Sequence, residues 1–122
     1  FVRKLTIIAN ANVFVNQQKM GTDFKPYYAV IFTSTQTNTL DGYSEMANQM
    51  ETLAKQQQGF LGMESARNGL GITVSYWESL DAIKSWKLQS EHLVAQRKGR
   101  TDFYSWYKVR ICKVERDYEF SL

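Results

Sequence analysis

Residues 59–78 read GFLGMESARNGLGITVSYWE, and the organisation of the whole chain follows from them. Phe60, Leu61 and Met63 supply one run of strand-forming residues; Leu70, Ile72, Val74, Tyr76 and Trp77 supply a second. Between the runs lies Asn68-Gly69. Both residue types tolerate a positive φ, so this dipeptide between apolar, β-rich runs predicts a β-hairpin with a type I′ turn. Gly71, just past the turn, predicts a loosened register or a bulge.

Working outward, each side of the hairpin carries a helical pattern and then another strand. Upstream, residues 27–34 (YYAVIFTS) are apolar in both parities, with Tyr28, Val30 and Phe32 on one side and Ala29 and Ile31 on the other. This is the pattern of a strand covered on both faces. A helix follows, capped by Asp41 or Thr39 and running to about Gln57. Its Tyr43, Met46, Ala47, Met50, Leu53 and Ala54 recur every three or four residues as one apolar stripe, and Gly59 stops it. Downstream, Ser79 is the expected N-cap of a second helix and Asp81 its first-turn acid. Ala82, Ile83 and Trp86 face inward, and Ser90 is expected to cap a second short piece carrying Leu93 and Val94 as far as Gly99. Residues 103–116 (FYSWYKVRICKVER) make the last and longest strand, with Phe103, Tyr107, Val109 and Ile111 on one parity and Tyr104, Trp106, Cys112 and Val114 on the other. The order is β-α-β-β-α-β: an α+β, ferredoxin-like antiparallel sheet with two helices.

The rest of the composition narrows the chemistry. At 122 residues the chain has the size of one domain, and 43% hydrophobic with 22% charged residues is ordinary globular composition. We divide it into an N-terminal extension, residues 1–26, and a domain at residues 27–120. In the extension, Leu5–Ala9 and Val13–Val15 read as short strands that pair with or drape over the domain, and the apolar run is too short and Asn-rich for a signal peptide. A net charge of +3 is too small to argue for nucleic acid. A single cysteine, Cys112, rules out an internal disulfide, and a single histidine, His92, a multi-histidine metal centre. No apolar run has transmembrane length, so the expectation is a cytoplasmic protein with no membrane or nucleic-acid partner.

Two helices cover only one face of a four-stranded sheet, so the other face should read polar at every second position. The first and last strands do not. A wet second face would expose an apolar patch that soluble monomers avoid. The expected cover is a second copy packed face to face about a two-fold axis, or else residues 1–26 of the same chain.

The pieces YYAVIFTS, G-F-x-G at 59–62, S-Y-W-E-S at 75–79, I-K-S-W at 83–86, EHLVAQRKGR and WYKVRICKVERDYEF together resemble the antibiotic biosynthesis monooxygenase superfamily, in a small bacterial branch. The resemblance covers about residues 27–120. It implies a ferredoxin-like domain that pairs into a dimeric α+β barrel. It also implies either cofactor-free oxygenation of polyketide-like aromatics by O2 or oxidative haem degradation, although fold alone does not settle activity. The haem-degrading pattern matches only in part. Trp86 takes the place of the family's helix tryptophan, but Thr33 or Ser34 stands where the strand asparagine is expected. Gln96 or Arg97 stands where the iron-binding histidine is expected, with His92 about a helical turn early. The polyketide-oxidising pattern of Trp, Asn, Tyr and Arg is met by Trp86, with Tyr76, Arg97 or Arg110 as partners not tied to a position by a motif.

The expected site therefore joins Trp86 and His92 as catalytic candidates to Tyr76, Trp77, Arg97 and Arg110 as a substrate pocket. Trp86 and Trp77 read equally as core. His92 alone has a reference pKa near neutrality and reads as a general base or as a half-exposed, capping histidine. The late basic residues, Arg97 to Arg116, read as solvated surface or as an edge that attracts an anion. No phosphate loop, dinucleotide fingerprint or carboxylate pair is present, so no cofactor is expected, and an oxygenase here would draw its electrons from the substrate. The competing reading is a non-catalytic dimer that binds a small hydrophobic ligand; a haem-binding protein is the third.

Overall fold

The structure, a computed structural model, describes residues 4–9 (as a strand backbone), 24–96 and 103–122. Strands β1 (Lys4–Ala9), β2 (Tyr27–Gln36), β3 (Phe60–Asn68), β4 (Leu70–Trp77) and β5 (Tyr104–Val114) form one antiparallel sheet in the order β1-β3-β4-β2-β5. Helices α1 (Tyr43–Lys55) and α2 (Leu80–Gln96) complete a ferredoxin-like β-α-β-β-α-β unit, β2 to β5, with β1 added at the β3 edge. Residues 4–9 thus widen the sheet by pairing, Lys4 opposite Arg67 through Ala9 opposite Gly62. The second expected strand, Val13–Val15, lies outside the described residues.

Several local expectations are corrected. At the hairpin only Gly69 takes a positive φ (76°) and Asn68 does not, so the turn is not type I′. The bulges sit elsewhere, at Phe60/Gly62 and at Thr35/Gln36, while Gly71 stays in register opposite Arg67. Helix α1 is capped by Gly42 (φ 84°) without a side-chain hydrogen bond, not by Asp41 or Thr39. Helix α2 is capped as expected, Ala82 N donating to Ser79 Oγ at 3.0 Å. It then runs unbroken to Gln96, because Leu80–Gln96 contains neither Gly nor Pro, and Ser90 Oγ donates back to Lys87 O at 3.0 Å instead of starting a new helix.

The cross-strand register sorts the side chains into two faces. Trp77, Ser75, Thr73 and Gly71 of β4 lie opposite Tyr28, Val30, Phe32 and Ser34 of β2, and this face looks toward the helices. Tyr76, Val74 and Ile72 share the far face with Ala29, Ile31 and Thr33. On that far face Tyr27 and Leu61 are buried together, with Phe24, Tyr76 and Val114 packed around them. There the Tyr27 hydroxyl donates to Asp117 of the C-terminal tail.

The helices approach the sheet over β3 and β4. They leave β5 at the sheet edge, where Tyr107 (60%), Val109 (48%) and Ile111 (55%) stay exposed on the helix-facing side. Among the described residues, therefore, nothing supplies the expected cover on this face of the last strand, because the helices sit over the central hairpin.

Candidate functional site

The helix-facing side of the sheet has two ends with different chemistry. At one end Trp77, fully buried, stacks on Trp86 of α2 with ring centroids 5.7 Å apart, and Phe60 meets its edge at 5.4 Å. Its indole N–H, which burial would otherwise leave unsatisfied, donates to Ser75 Oγ at 2.8 Å. The buried polar atom of this stack thus has a partner, and Trp86 lies half-buried beside it. The stack is core.

The other end holds polar groups inside a frame of rings. Phe32 of β2 meets Tyr104 at 5.3 Å edge-on and Tyr107 at 5.4 Å stacked. Tyr43, the first residue of α1, packs its ring against Phe103 (5.4 Å) and Tyr104 (6.0 Å). The Tyr104 hydroxyl donates to that of Tyr43 at 3.5 Å, a long contact. Strict alternation would send Tyr104 to the same face as Trp106. The bulge at Thr35/Gln36 pairs Thr35 with Trp106 and Gln36 with Tyr104, leaving Ser105 as the extra residue and swinging Tyr104 to the helix side beside Tyr107. Ser105 is held there by Thr35 Oγ1 at 2.7 Å.

Arg67 of β3 reaches into the same end. Its Nη2 donates to Ser34 Oγ at 2.6 Å, and its Nη1 donates to Ser34 O at 3.2 Å and Gly69 O at 3.3 Å. Gly71 directly opposite makes room. A Cβ there would lie 2.2 Å from Arg67 Cζ and 2.3 Å from Nη2, so only glycine lets the guanidinium lie flat across β4. Ser34 is fully buried. Among the described residues no carboxylate pairs with Arg67. Burial pushes the Tyr104 phenol well above its ordinary pKa, its contact with Tyr43 adds to the rise, and the nearby Arg67 charge opposes it. Tyr104 is accordingly a neutral hydrogen-bonding group across the physiological range.

The residues expected to share a pocket are dispersed. Trp77 and Trp86 meet, but at the opposite end from Arg67. Tyr76 is on the far face, its hydroxyl 3.4 Å from Glu64 Oε1 and its pKa raised by burial and then by that carboxylate. Arg110 lies opposite Ile31, so it too belongs to the far face, exposed. His92 is exposed on the side of α2 opposite Ile83 and contacts Gln96 Nε2 at 3.2 Å. Arg97 lies outside the described residues. An open groove between α1 and α2, lined by Glu45, Asn48, Thr52, Leu53, Leu93 and Gln96, gathers none of the expected set. Arg67, Tyr43 and Tyr104 were not singled out from the sequence as site residues, and Ser34 was named only as one of two positions for the missing strand asparagine. The signal for Arg67 was an arginine just before a hairpin turn with glycine opposite it. Among the described residues no three His, Cys, Asp or Glu side chains gather as a metal site, and no helix is long and apolar enough to cross a membrane.

With the geometry established, relatives are informative. Over 93 residues the chain is 53% identical to the uncharacterized protein YqjZ of Bacillus subtilis (strain 168), covering 75% of this chain and 82% of that one. The chain belongs to the family of YqjZ. No protein-family model matches it. Its fold is that of the antibiotic biosynthesis monooxygenase superfamily. An MhuD mutant crystallised with two manganese protoporphyrin IX per active site superposes with a TM-score of 0.57 at 18% identity, over 76% of this chain and 99% of that one. Rv0793 of Mycobacterium tuberculosis gives 0.57 at 16% identity, over 80% and 100%. A Nitrosomonas europaea protein assigned by name to the antibiotic biosynthesis monooxygenases gives 0.56 at 12% identity, over 71% and 88%.

Proposed function

We propose that the protein is a cofactor-independent monooxygenase for a small aromatic or polyketide-like substrate, bound at the Arg67–Tyr104 end of the helix-facing side of the sheet. The observation that carries this reading is a guanidinium that no carboxylate among the described residues pairs with, at the end of the sheet that carries Phe32 and the hydroxyls of Tyr43 and Tyr104. Such a site binds a flat, electron-rich ring and favours its anion. In the reaction an anthrone-type CH2 becomes C=O, and O2 supplies that oxygen and leaves its second oxygen as water. All electrons come from the substrate. Arg67 would hold the enolate or phenolate, and Tyr43 and Tyr104 would orient it. The test is oxygen uptake with dihydroxynaphthalenes and anthrones, wild type against Arg67→Gln and His92→Ala. Turnover lost in the first and kept in the second is expected. Loss only in H92A would return the chemistry to His92.

One observation favours a non-catalytic ligand-binding protein instead. Among the described residues no carboxylate and no imidazole hydrogen-bonds Arg67, Tyr43 or Tyr104, so a proton acceptor is not built into this end. Ligand binding without oxygen uptake across the panel would establish that reading. A haem reading, prompted by the porphyrin in the MhuD structure, draws less support because His92 faces away from the sheet. Titration with haemin is expected to give no saturable one-to-one Soret band.

We also infer a homodimer. Leu70, Ile72 and Trp106 on the far face, with β5 at the sheet edge, leave apolar area that a second sheet would cover. A stable pairing should bury more than about 1,000 Å². Sedimentation equilibrium at low micromolar concentration is expected to give twice the monomer mass, and a monomer would reverse the inference.

A further inference from the structure

The hydrogen bonds of Arg67 are arranged by edge. A guanidinium carries five N–H donors in a planar fork. Ser34 O and Ser34 Oγ accept from Nη1 and Nη2, which fills the end-on edge of the fork, and Gly69 O takes the second Nη1 donor. What remains is the side-on edge, Nε–H with the second Nη2–H. Two parallel donors at that edge match the two oxygens of one carboxylate. The guanidinium cannot turn to use them elsewhere, because Ser34 is fully buried and grips it by both backbone and side chain. One face of its plane lies on Gly71, where Cζ, Nη2 and Nε would all fall within 2.7 Å of a Cβ. Ser34, which holds it, lies opposite Tyr107 and on the same face as Phe32, and Phe32 in turn packs against Tyr104 and Tyr107; Tyr107 is largely exposed at the sheet edge.

We propose that this end selects aromatic carboxylates: the free edge of Arg67 takes the carboxylate side-on while Phe32, Tyr104 and Tyr107 hold the ring. The proposal deepens the reading of this end of the sheet as a substrate site and rests on it. It does not require oxygenation, since it concerns which ligand is held and not what becomes of it. The far-face arginine, Arg110, is exposed opposite Ile31, and among the described residues no side-chain hydrogen bond fixes its guanidinium.

The test compares 2-naphthoate with 2-naphthamide, which have the same rings with and without the charge, by isothermal titration calorimetry at pH 7. A bidentate charge-assisted pair should favour the acid by about ten-fold or more in the wild type. Arg67→Gln should bring the two ligands to within about three-fold, chiefly by weakening naphthoate. Arg67→Lys, which keeps the charge without the fork, should fall between. Ser34→Ala, a smaller change that loosens the grip on Nη2, should lose part of the preference, and near-UV circular dichroism checks that each variant is folded. Equal wild-type affinities, a preference that survives R67Q, or binding of neither ligand at millimolar concentration would each overturn the proposal. Oxygen uptake on neutral phenols despite equal affinities would overturn the carboxylate selection alone. A clear preference for naphthoate with no oxygen uptake on any substrate would uphold it and remove the oxygenase.

Discussion

The two ends of the helix-facing side are both aromatic, and they do opposite work. At the Trp77 end the fully buried indole N–H is satisfied by Ser75. The Tyr104 end holds, besides its rings, a cation whose donors are only partly used and two hydroxyls in a long, weak contact. Aromatic content alone does not distinguish a core from a pocket. The state of the polar atoms among the rings does. A satisfied end resists change through packing, and an unsatisfied one is where a ligand can contribute hydrogen bonds that the protein lacks.

The largest expected effect tests the closed end. Trp77→Ala removes a fully buried ring from between Phe60 and Trp86 and should cost about 3–5 kcal/mol, read as a lower urea midpoint with little change in slope. Trp86→Ala should cost less, since Trp86 is only half-buried. If W77A lost little stability but abolished ligand binding, the assignment of the two ends would be reversed.

Much of this fold was legible in the sequence. Doubly apolar β2, the α1 stripe and the two runs about Asn68-Gly69 each announced their element, because burial imposes a period that side chains must obey. The site was less legible, for reasons that can be named. Tyr76 and Trp77 are adjacent on a strand, so they point to opposite faces and cannot wall one pocket. The bulge at Ser105 moves Tyr104 across the sheet, and alternation read straight through residues 103–116 groups it with Trp106 instead of Tyr107. Gly71 suggested a bulge, yet its use is to admit a guanidinium from the next strand, a contact that depends on cross-strand register. His92 drew attention for its intrinsic chemistry, but its place on α2, half a turn round from Ile83, turns it to solvent.

Gly71→Ala gives a sharper separation of the ends with a smaller energetic effect. The added Cβ meets the tip of a flexible side chain, so Arg67 can swing out and the sheet need not move. Loss of the Ser34 bonds outweighs the reduced freedom of the unfolded chain, and stability should fall by about 1–2 kcal/mol, less than in W77A. Ligand affinity should nevertheless fall as it does in R67Q, with the Trp77–Trp86 near-UV signal unchanged. A large loss of stability would mean that the Arg67 end is packed as tightly as the other.

The smallest effect at neutral pH belongs to Tyr104→Phe, and its signature is a pH dependence. In the unfolded chain the phenol ionises near its reference pKa of 10.0, while in the folded protein burial raises it and the Tyr43 hydroxyl adds to the rise. Between those two values the folded state keeps a proton that the unfolded state has lost. Stability from this group is therefore fully present below about pH 10 and declines as pH rises toward the folded pKa. Wild type should lose stability on going from pH 9 to pH 11 by urea denaturation, and Y104F should lose less. Tyr76, raised by its own burial and by Glu64, contributes in the same sense from the far face, so the slope in Y104F should shrink without vanishing. Tyr76→Phe then isolates what remains. If Y104F and wild type keep parallel profiles through this range, the Tyr104 hydroxyl is already in water, and the rings at this end do not shield the polar groups that Arg67 is meant to present.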